Sequence, residues 1–127
     1  RWEKVSSKPL IIADVAHNEE AFKEVICEVQ KIKSQKKMFV LGFVKDKPIN
    51  KIIKLLPKEG IYFFSSPKIS RAYSLEHLNS ILENTELNYR IFESVEEAYN
   101  IALSNATKED FIFVGGSNFT VSEILDH

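Results

Sequence analysis

Apolar residues in this 127-residue chain follow two alternating rhythms. Short continuous runs at Leu10–Ala13, Met38–Gly42, Ile61–Phe64, Tyr89–Phe92 and Phe111–Val114 read as strands, and the lack of polar alternation in several predicts a sheet covered on both faces. Between them the period lengthens to that of a helix. Phe22, Val25, Ile26, Val29 and Ile32 fall on one face, and Ile49, Ile52, Ile53 and Leu56 do the same. Leu75, Leu78 and Leu82 form a third stripe, and Val95, Ala98, Tyr99, Ala102 and Ala106 a fourth. A last short helix is expected to carry Val121, Ile124 and Leu125.

Local punctuation supports these boundaries. Ser74 and Ser94 stand at helix N-cap positions, and Glu97 completes a capping-box spacing with Ser94. Pro48 suits a helix's first turn, and Pro57 with Gly60 ends that helix. Strand and helix in regular succession, with short joints, predict an α/β fold. Its form is a Rossmann-like three-layer sandwich, a mostly parallel sheet of about five or six strands with helices on both faces. The length suits one domain spanning residues 1–127.

Composition narrows the classes of partner. Net charge is −1 with acids and bases interspersed, which gives no reason to expect nucleic acid or an anionic membrane surface. No apolar run approaches the roughly 18–20 residues that span a bilayer. The single cysteine, Cys27, has no partner for an internal disulfide, in keeping with a reducing cytoplasm, and reads as packing or surface. The chain begins at Arg1 rather than methionine, so a longer parent is expected.

Ligands of open α/β sheets bind where strands end at their carboxyl side, and four such loops are unusually polar. In "PLIIADVAHNEEAF" Asp14 ends a strand, and His17 and Asn18 occupy the turn into a helix. A carboxylate accepts from both hydroxyls of a ribose, and an imidazole or amide donates to phosphate. The competing reading is local: Asn18 caps the helix and Asp14 caps the turn. "GFVKDKP" crowds Lys45, Asp46 and Lys47 after Gly42, which is read as admitting a backbone conformation closed to other residues. "SSPKISRAYS" carries Arg71, whose guanidinium suits a carboxylate; both loops also read as ordinary solvated turns. In "FVGGSNF", Gly115, Gly116 and Ser117 either bring backbone N–H groups to an oxyanion or simply form a strand-to-helix turn. P-loop, GxGxxG, CxxC, HExxH and GxSxG motifs are all missing, and His77 and His127 read as surface residues.

Taken in order, Arg1-Trp2-Glu3, "DVAHN", "GFVKDK", "SRAYSLEHL", "SVEEAYNIAL" and "FVGGSNFTVSEIL" resemble the carboxy-terminal domain of the bifunctional folylpolyglutamate synthase/dihydrofolate synthase family, over essentially the whole chain. "DxAHN" alone resembles the wider Mur ligase superfamily; Arg1, thirteen residues before Asp14, with the "DK" loop and the final "GS-x-aromatic" turn, points to the folate branch. The resemblance implies a domain that closes over an amino-terminal ATPase domain of the same chain, which holds the P-loop and binds most of the Mg²⁺. There ATP phosphorylates a carboxylate of dihydropteroate or folate, and the amine of L-glutamate attacks the acyl phosphate. By the same resemblance Arg1 and Asp14 meet ATP, with Asp14 at the ribose, and His17 is catalytic near the phosphate. Asn18, Ser117 and Phe119 also fall at nucleotide positions, and Lys47 and Arg71 near substrate. Phe119 stands where many relatives carry tyrosine, so a hydroxyl is missing there, and Glu19 stands where proline is usual. A cytoplasmic, monomeric enzyme is implied, active only in its longer form. The alternatives are another Mur-type amide ligase, or an α/β binding module without catalysis; a receiver domain does not fit, because the third predicted strand ends in Ser65 and Ser66.

Overall fold

The computed structural model of the chain describes residues 2–45, 49–69 and 72–125. The sequence-based expectations for Arg1, Asp46, Lys47, Pro48, Arg71 and His127 lie outside the described residues. Eleven elements occur among those described: β1 (Glu3–Ser7), β2 (Leu10–Asp14), α1 (Glu19–Gln30), β3 (Lys37–Gly42), α2 (Ile49–Ile53), β4 (Ile61–Ser65), α3 (Leu75–Leu82), β5 (Asn88–Phe92), α4 (Val95–Asn105), β6 (Phe111–Gly115) and α5 (Asn118–Leu125). All five expected strands and all five helical stripes are present.

The strands form one sheet in the order β1-β2-β6-β3-β4-β5. β2, β6, β3, β4 and β5 run parallel, and β1 pairs antiparallel with β2 at the edge. β1 has no counterpart in the apolar pattern. Its sequence, EKVSS, is almost entirely exposed, so no hydrophobic period marks it, and the strand exists because β2 offers an unpaired edge. It is bulged between Lys4 and Ser6 and ends in a turn over Lys8 and Pro9, whose peptide bond is cis.

Topology determines which face each helix covers. The steps β2→β3→β4→β5 all advance in one direction, so right-handed crossovers put α1, α2 and α3 on the same face. The step β5→β6 runs back, which sends α4 to the opposite face. Two separate cores follow. Phe22, Val25, Ile26 and Val29 of α1 join the α2 and α3 stripes over Ile12, Phe39, Tyr62, Phe64 and Phe113. Ala98 and Ala102 of α4 and Val121 of α5 cover Ile11, Met38, Val40, Phe63, Ile112 and Val114. Successive strand residues thus serve opposite cores, the two-residue period of a strand covered on both faces. The first core is aromatic: Phe39 stacks on Tyr62 at 4.7 Å, and Phe22 meets Phe43 at 5.8 Å and Phe113 at 6.3 Å. Burial pushes the Tyr62 phenol well above its ordinary pKa, and its hydroxyl donates to the Pro57 carbonyl.

Caps appear where the sequence places them. Asn18, Ser74 and Ser94 each accept an N–H three residues on, from Ala21, His77 and Glu97. Glu97 also accepts from the Glu93 N–H, one residue earlier than a capping box requires.

At the carboxyl edge β6 is locked to β3. Gly116, with φ of +108°, lies so close to Gly42 that a Cβ would come within 2.5 Å of the Gly42 carbonyl oxygen. The Thr120 hydroxyl donates to that same oxygen at 2.8 Å. Gly42 itself is required for space: a Cβ there would approach Thr120 Oγ1 to 2.7 Å. Its backbone lies outside the positive-φ region, which corrects the expectation of a special conformation at this glycine.

Gly116→Ala is therefore expected to lower unfolding free energy by about 2–4 kcal/mol, through backbone strain and collision together. Thr120→Val is expected to lower it by about 1–3 kcal/mol, because a buried acceptor loses its donor. Urea denaturation followed by circular dichroism measures both, and an unchanged midpoint for Gly116→Ala would refute the close approach.

Candidate functional site

The loops leaving β2 and β6 part to opposite faces, towards α1 and α5, although the two strands are paired as far as Asp14 and Gly115. Such a divergence opens a crevice at the carboxyl edge. Asp14 is the last residue of β2 and only 8% exposed. Its Oδ1 accepts from the Ala16 N–H at 2.8 Å, a short turn that carries the chain over the sheet edge. His17 Nδ1 lies 3.2 Å from the Val15 carbonyl oxygen. A carbonyl only accepts, so this contact places the ring hydrogen on Nδ1 and turns Nε2 outward. Asn18 then caps α1, with Glu19 and Glu20 in its first turn, where acids favour the helix dipole. The expected start of this helix at Asn18 is borne out, with Asp14 and His17 together at the strand end.

Trp2 stands one residue outside the Glu3–Ala13 pair, which puts it across from Asp14. It is 42% exposed and, with Asp14, His17 and α1, bounds an open groove of about 510 Å³. Ala21 and Val25 give the wall on α1 an apolar character, and Glu24 and Glu28 line it further along. Glu28 is engaged by Lys31 at 3.1 Å. Trp2, Glu24 and Glu28 were not singled out as site residues from sequence; the available signal was the indole beside Arg1, but only the β1–β2 pairing brings it to Asp14.

The turn after β6 is closed rather than cradle-like. Ser117 is 2% exposed, and its hydroxyl lies 3.0 Å from that of Thr120 and accepts the Thr120 N–H at 3.1 Å. The side chain is committed inward, so its part at this edge is to hold the turn in shape. Phe119, at the start of α5, is 38% exposed.

Beyond β3 and β4 the two remaining loops are joined. Val44 bridges Ala72, the Tyr73 hydroxyl donates to the Lys45 carbonyl at 2.9 Å, and the Ser66 hydroxyl donates to the Tyr73 carbonyl. His77 is exposed on α3 against the Tyr73 ring, and Cys27 is exposed on α1, as expected. No helix among the described residues is long and apolar enough to cross a membrane.

Comparison with known proteins bears on this geometry. The pattern of the family described as "Mur ligase, glutamate ligase domain" matches residues 1–118. A dihydrofolate synthase/folylpolyglutamate synthase of Buchnera aphidicola subsp. Acyrthosiphon pisum (strain APS) is 36% identical over 129 residues, covering 98% of this chain and 30% of the relative. The bifunctional folylpolyglutamate synthase/dihydrofolate synthase of Yersinia pestis, solved with AMPPNP and a Mn ion, aligns with a TM-score of 0.88 at 28% identity. It is covered over 30% of its length by 99% of this chain. A structure of such a synthase with Mn, AMPPNP and L-glutamate bound gives the same score, identity and coverage. The chain thus spans about 30% of the length of the relatives it matches. With a family pattern that covers nearly all of it, this chain belongs to the Mur ligase family, as its glutamate ligase domain.

Proposed function

We propose that the chain is the carboxy-terminal domain of an ATP-dependent ligase that adds L-glutamate to dihydropteroate or folates through an acyl phosphate. The observation that carries this reading is the meeting of Asp14 and His17 at one strand end, beside a groove, in a domain whose full-length relatives have been solved with nucleotide and with L-glutamate. In this reading Asp14 accepts hydroxyls of the ribose of ATP, and Arg1 reaches the same nucleotide. Nε2 of His17 meets the phosphate or acyl phosphate where charge develops, and Asn18 presents the first turn of α1 to it. Ser117 shapes the neighbouring turn, Phe119 offers an apolar contact to nucleotide or to the ATPase domain, and Lys47 and Arg71 lie on the loops assigned to substrate. The expected monomeric, cytoplasmic enzyme belongs to the same reading.

A metal is a different matter. The described residues contain no group of three or more His, Cys, Asp or Glu side chains arranged to hold an ion. Magnesium prefers several oxygen ligands in near-octahedral array, and these side chains do not fit it. Its ligands are assigned to the ATPase domain.

Because this sequence has no P-loop, transferring phosphoryl charge has nothing to stabilise it on this chain alone. The purified chain is expected to release no phosphate with ATP, folate and glutamate; measurable ligation would overturn the division of labour. In the longer ligase, Asp14→Ala is expected to reduce ATP use about tenfold to a hundredfold, the worth of a charge-assisted hydrogen-bond pair. Asp14→Asn retains an acceptor for the Ala16 N–H while removing the charge, so a similar loss with an unchanged melting temperature separates nucleotide binding from turn capping. Arg1→Ala is expected to affect the same ATP parameter. His17→Ala is expected to lower kcat more than it raises the KM for ATP, since its contact forms where charge develops. Unaltered steady-state kinetics for both Asp14 variants would sink the nucleotide reading.

A further inference from the structure

The sheet has another open corner at the amino ends of β3, β4 and β5, across the strands from Asp14. It lies on the face that α4 covers. Met38 and Phe63 belong to the core on that face, and Ile61 packs against it. Asn88 and Arg90 point the same way, because they alternate along β5 with Tyr89 and Ile91, which pack on the other core. α4 ends at Asn105, and that residue lines the cavity left at the corner. The cavity holds about 230 Å³, the share of roughly eight waters or of one small organic molecule.

The lining divides by chemistry. Met38, Ile61 and Phe63 give an apolar floor across β3 and β4, with Met38 paired to Ile61. Lys36, Arg90 and the amides of Asn88 and Asn105 supply polar groups, and no carboxylate lines the cavity. Local contacts restrict both cations. The Lys36 N–H donates to Asp110 at 3.1 Å and its carbonyl accepts from the Phe111 N–H at 2.9 Å, which fixes its backbone to the start of β6. The Arg90 guanidinium lies 4.9 Å from the centre of the Phe92 ring, so one face is covered while its N–H edges stay free to donate. Among the described residues neither cation is paired with a carboxylate. Asp110 spends its two oxygens on the N–H groups of Lys36 and Thr107. Cations here also offset the carbonyl end of α4, whose last turn has no basic residue of its own. That service needs charge alone, and neither the apolar floor nor the two amides add to it.

We propose that this corner is a ligand site for a small organic monoanion: its carboxylate meets Arg90 and Lys36, with the Asn88 and Asn105 amides as further donors, and its apolar body lies on Met38, Ile61 and Phe63. A guanidinium fork matches the plane of a carboxylate, and the carbons that leave water add to the ion pair. The site shares no residue with the groove beside Asp14 and stands apart from the nucleotide reading.

The nitrogen-labelled chain is titrated with benzoate, with its neutral isostere benzamide and with inorganic phosphate, each to about 20 mM, and followed by NMR. Benzoate is expected to shift the Arg90 Nε–H and the side-chain amides of Asn88 and Asn105 along one saturating curve. Benzamide, which lacks the charge, and phosphate, which lacks the apolar body, are each expected to bind at least about fivefold more weakly. Arg90→Gln and Lys36→Gln are each expected to weaken benzoate binding at least about fivefold, and Arg90→Lys, which keeps the charge and loses the fork, about threefold. Equal affinity for benzoate and benzamide overturns the proposal, and so does equal affinity for benzoate and phosphate. A benzoate response that stays linear throughout, or that survives both glutamine substitutions unchanged, also overturns it and leaves the two cations their service to α4. The three ligands on the unsubstituted chain decide the outcome should a variant fail to fold.

Discussion

The carboxyl edge of the sheet depends on one close approach, the seating of Gly116 against Gly42. Because no side chain intervenes, β6 stays paired with β3 as far as Gly115 and Leu41, and Thr120 fastens α5 over the joint through the Gly42 carbonyl. This fixes where the chain leaves β6 and commits it to the face of α4. The loop after β2 leaves for the other face. The open edge around Asp14 is what remains when one neighbouring crevice is filled by backbone. A bulkier residue at either glycine would change the departure of α5 before it touched any ligand.

The polar groups at the end of β2 hold local structure, and in the proposed reading they meet a ligand as well. Asp14 caps a turn, His17 leans on the Val15 carbonyl and Asn18 caps α1. Each bond also restricts its side chain, so that in the proposed reading a carboxylate, an imidazole and a helix terminus are oriented before a ligand arrives. Preorganisation of this kind reduces the ordering cost of binding. The local and the ligand-directed readings of this stretch, which compete when only residue types are known, are compatible in three dimensions. Ser117 differs: its hydroxyl is spent on Thr120, and its influence reaches the edge only through the shape of the turn.

Much of this was legible in the sequence because its causes are local. Continuous apolar runs marked the five parallel strands, helical stripes marked the helices, and Asn18, Ser74 and Ser94 marked the starts of α1, α3 and α4. β1 was illegible for a physical reason: a strand exposed on both faces has no hydrophobic period, and its existence is a property of its partner. Trp2 was hidden with it, since a residue twelve positions from Asp14 becomes its neighbour only through antiparallel pairing. Glu24 and Glu28 carry no signal in the sequence, and only the folded structure brings them to the groove beside Asp14. Gly42 shows a different failure: a glycine after a strand suggests an unusual backbone, whereas what matters here is the missing volume.

The lone antiparallel strand also has a bearing on how tightly the groove can hold anything. β1 is hydrogen-bonded on one side only, is bulged at its middle and buries almost nothing. Segments of this kind open in local fluctuations at a small fraction of the free energy needed to unfold a domain. The Trp2 border of the groove, which precedes β1, is therefore the more easily displaced side, while α1 is anchored in the aromatic core. Substitutions in β1 therefore bear on how readily that border opens, whereas substitutions on the buried face of α1 bear on the stability of the whole domain.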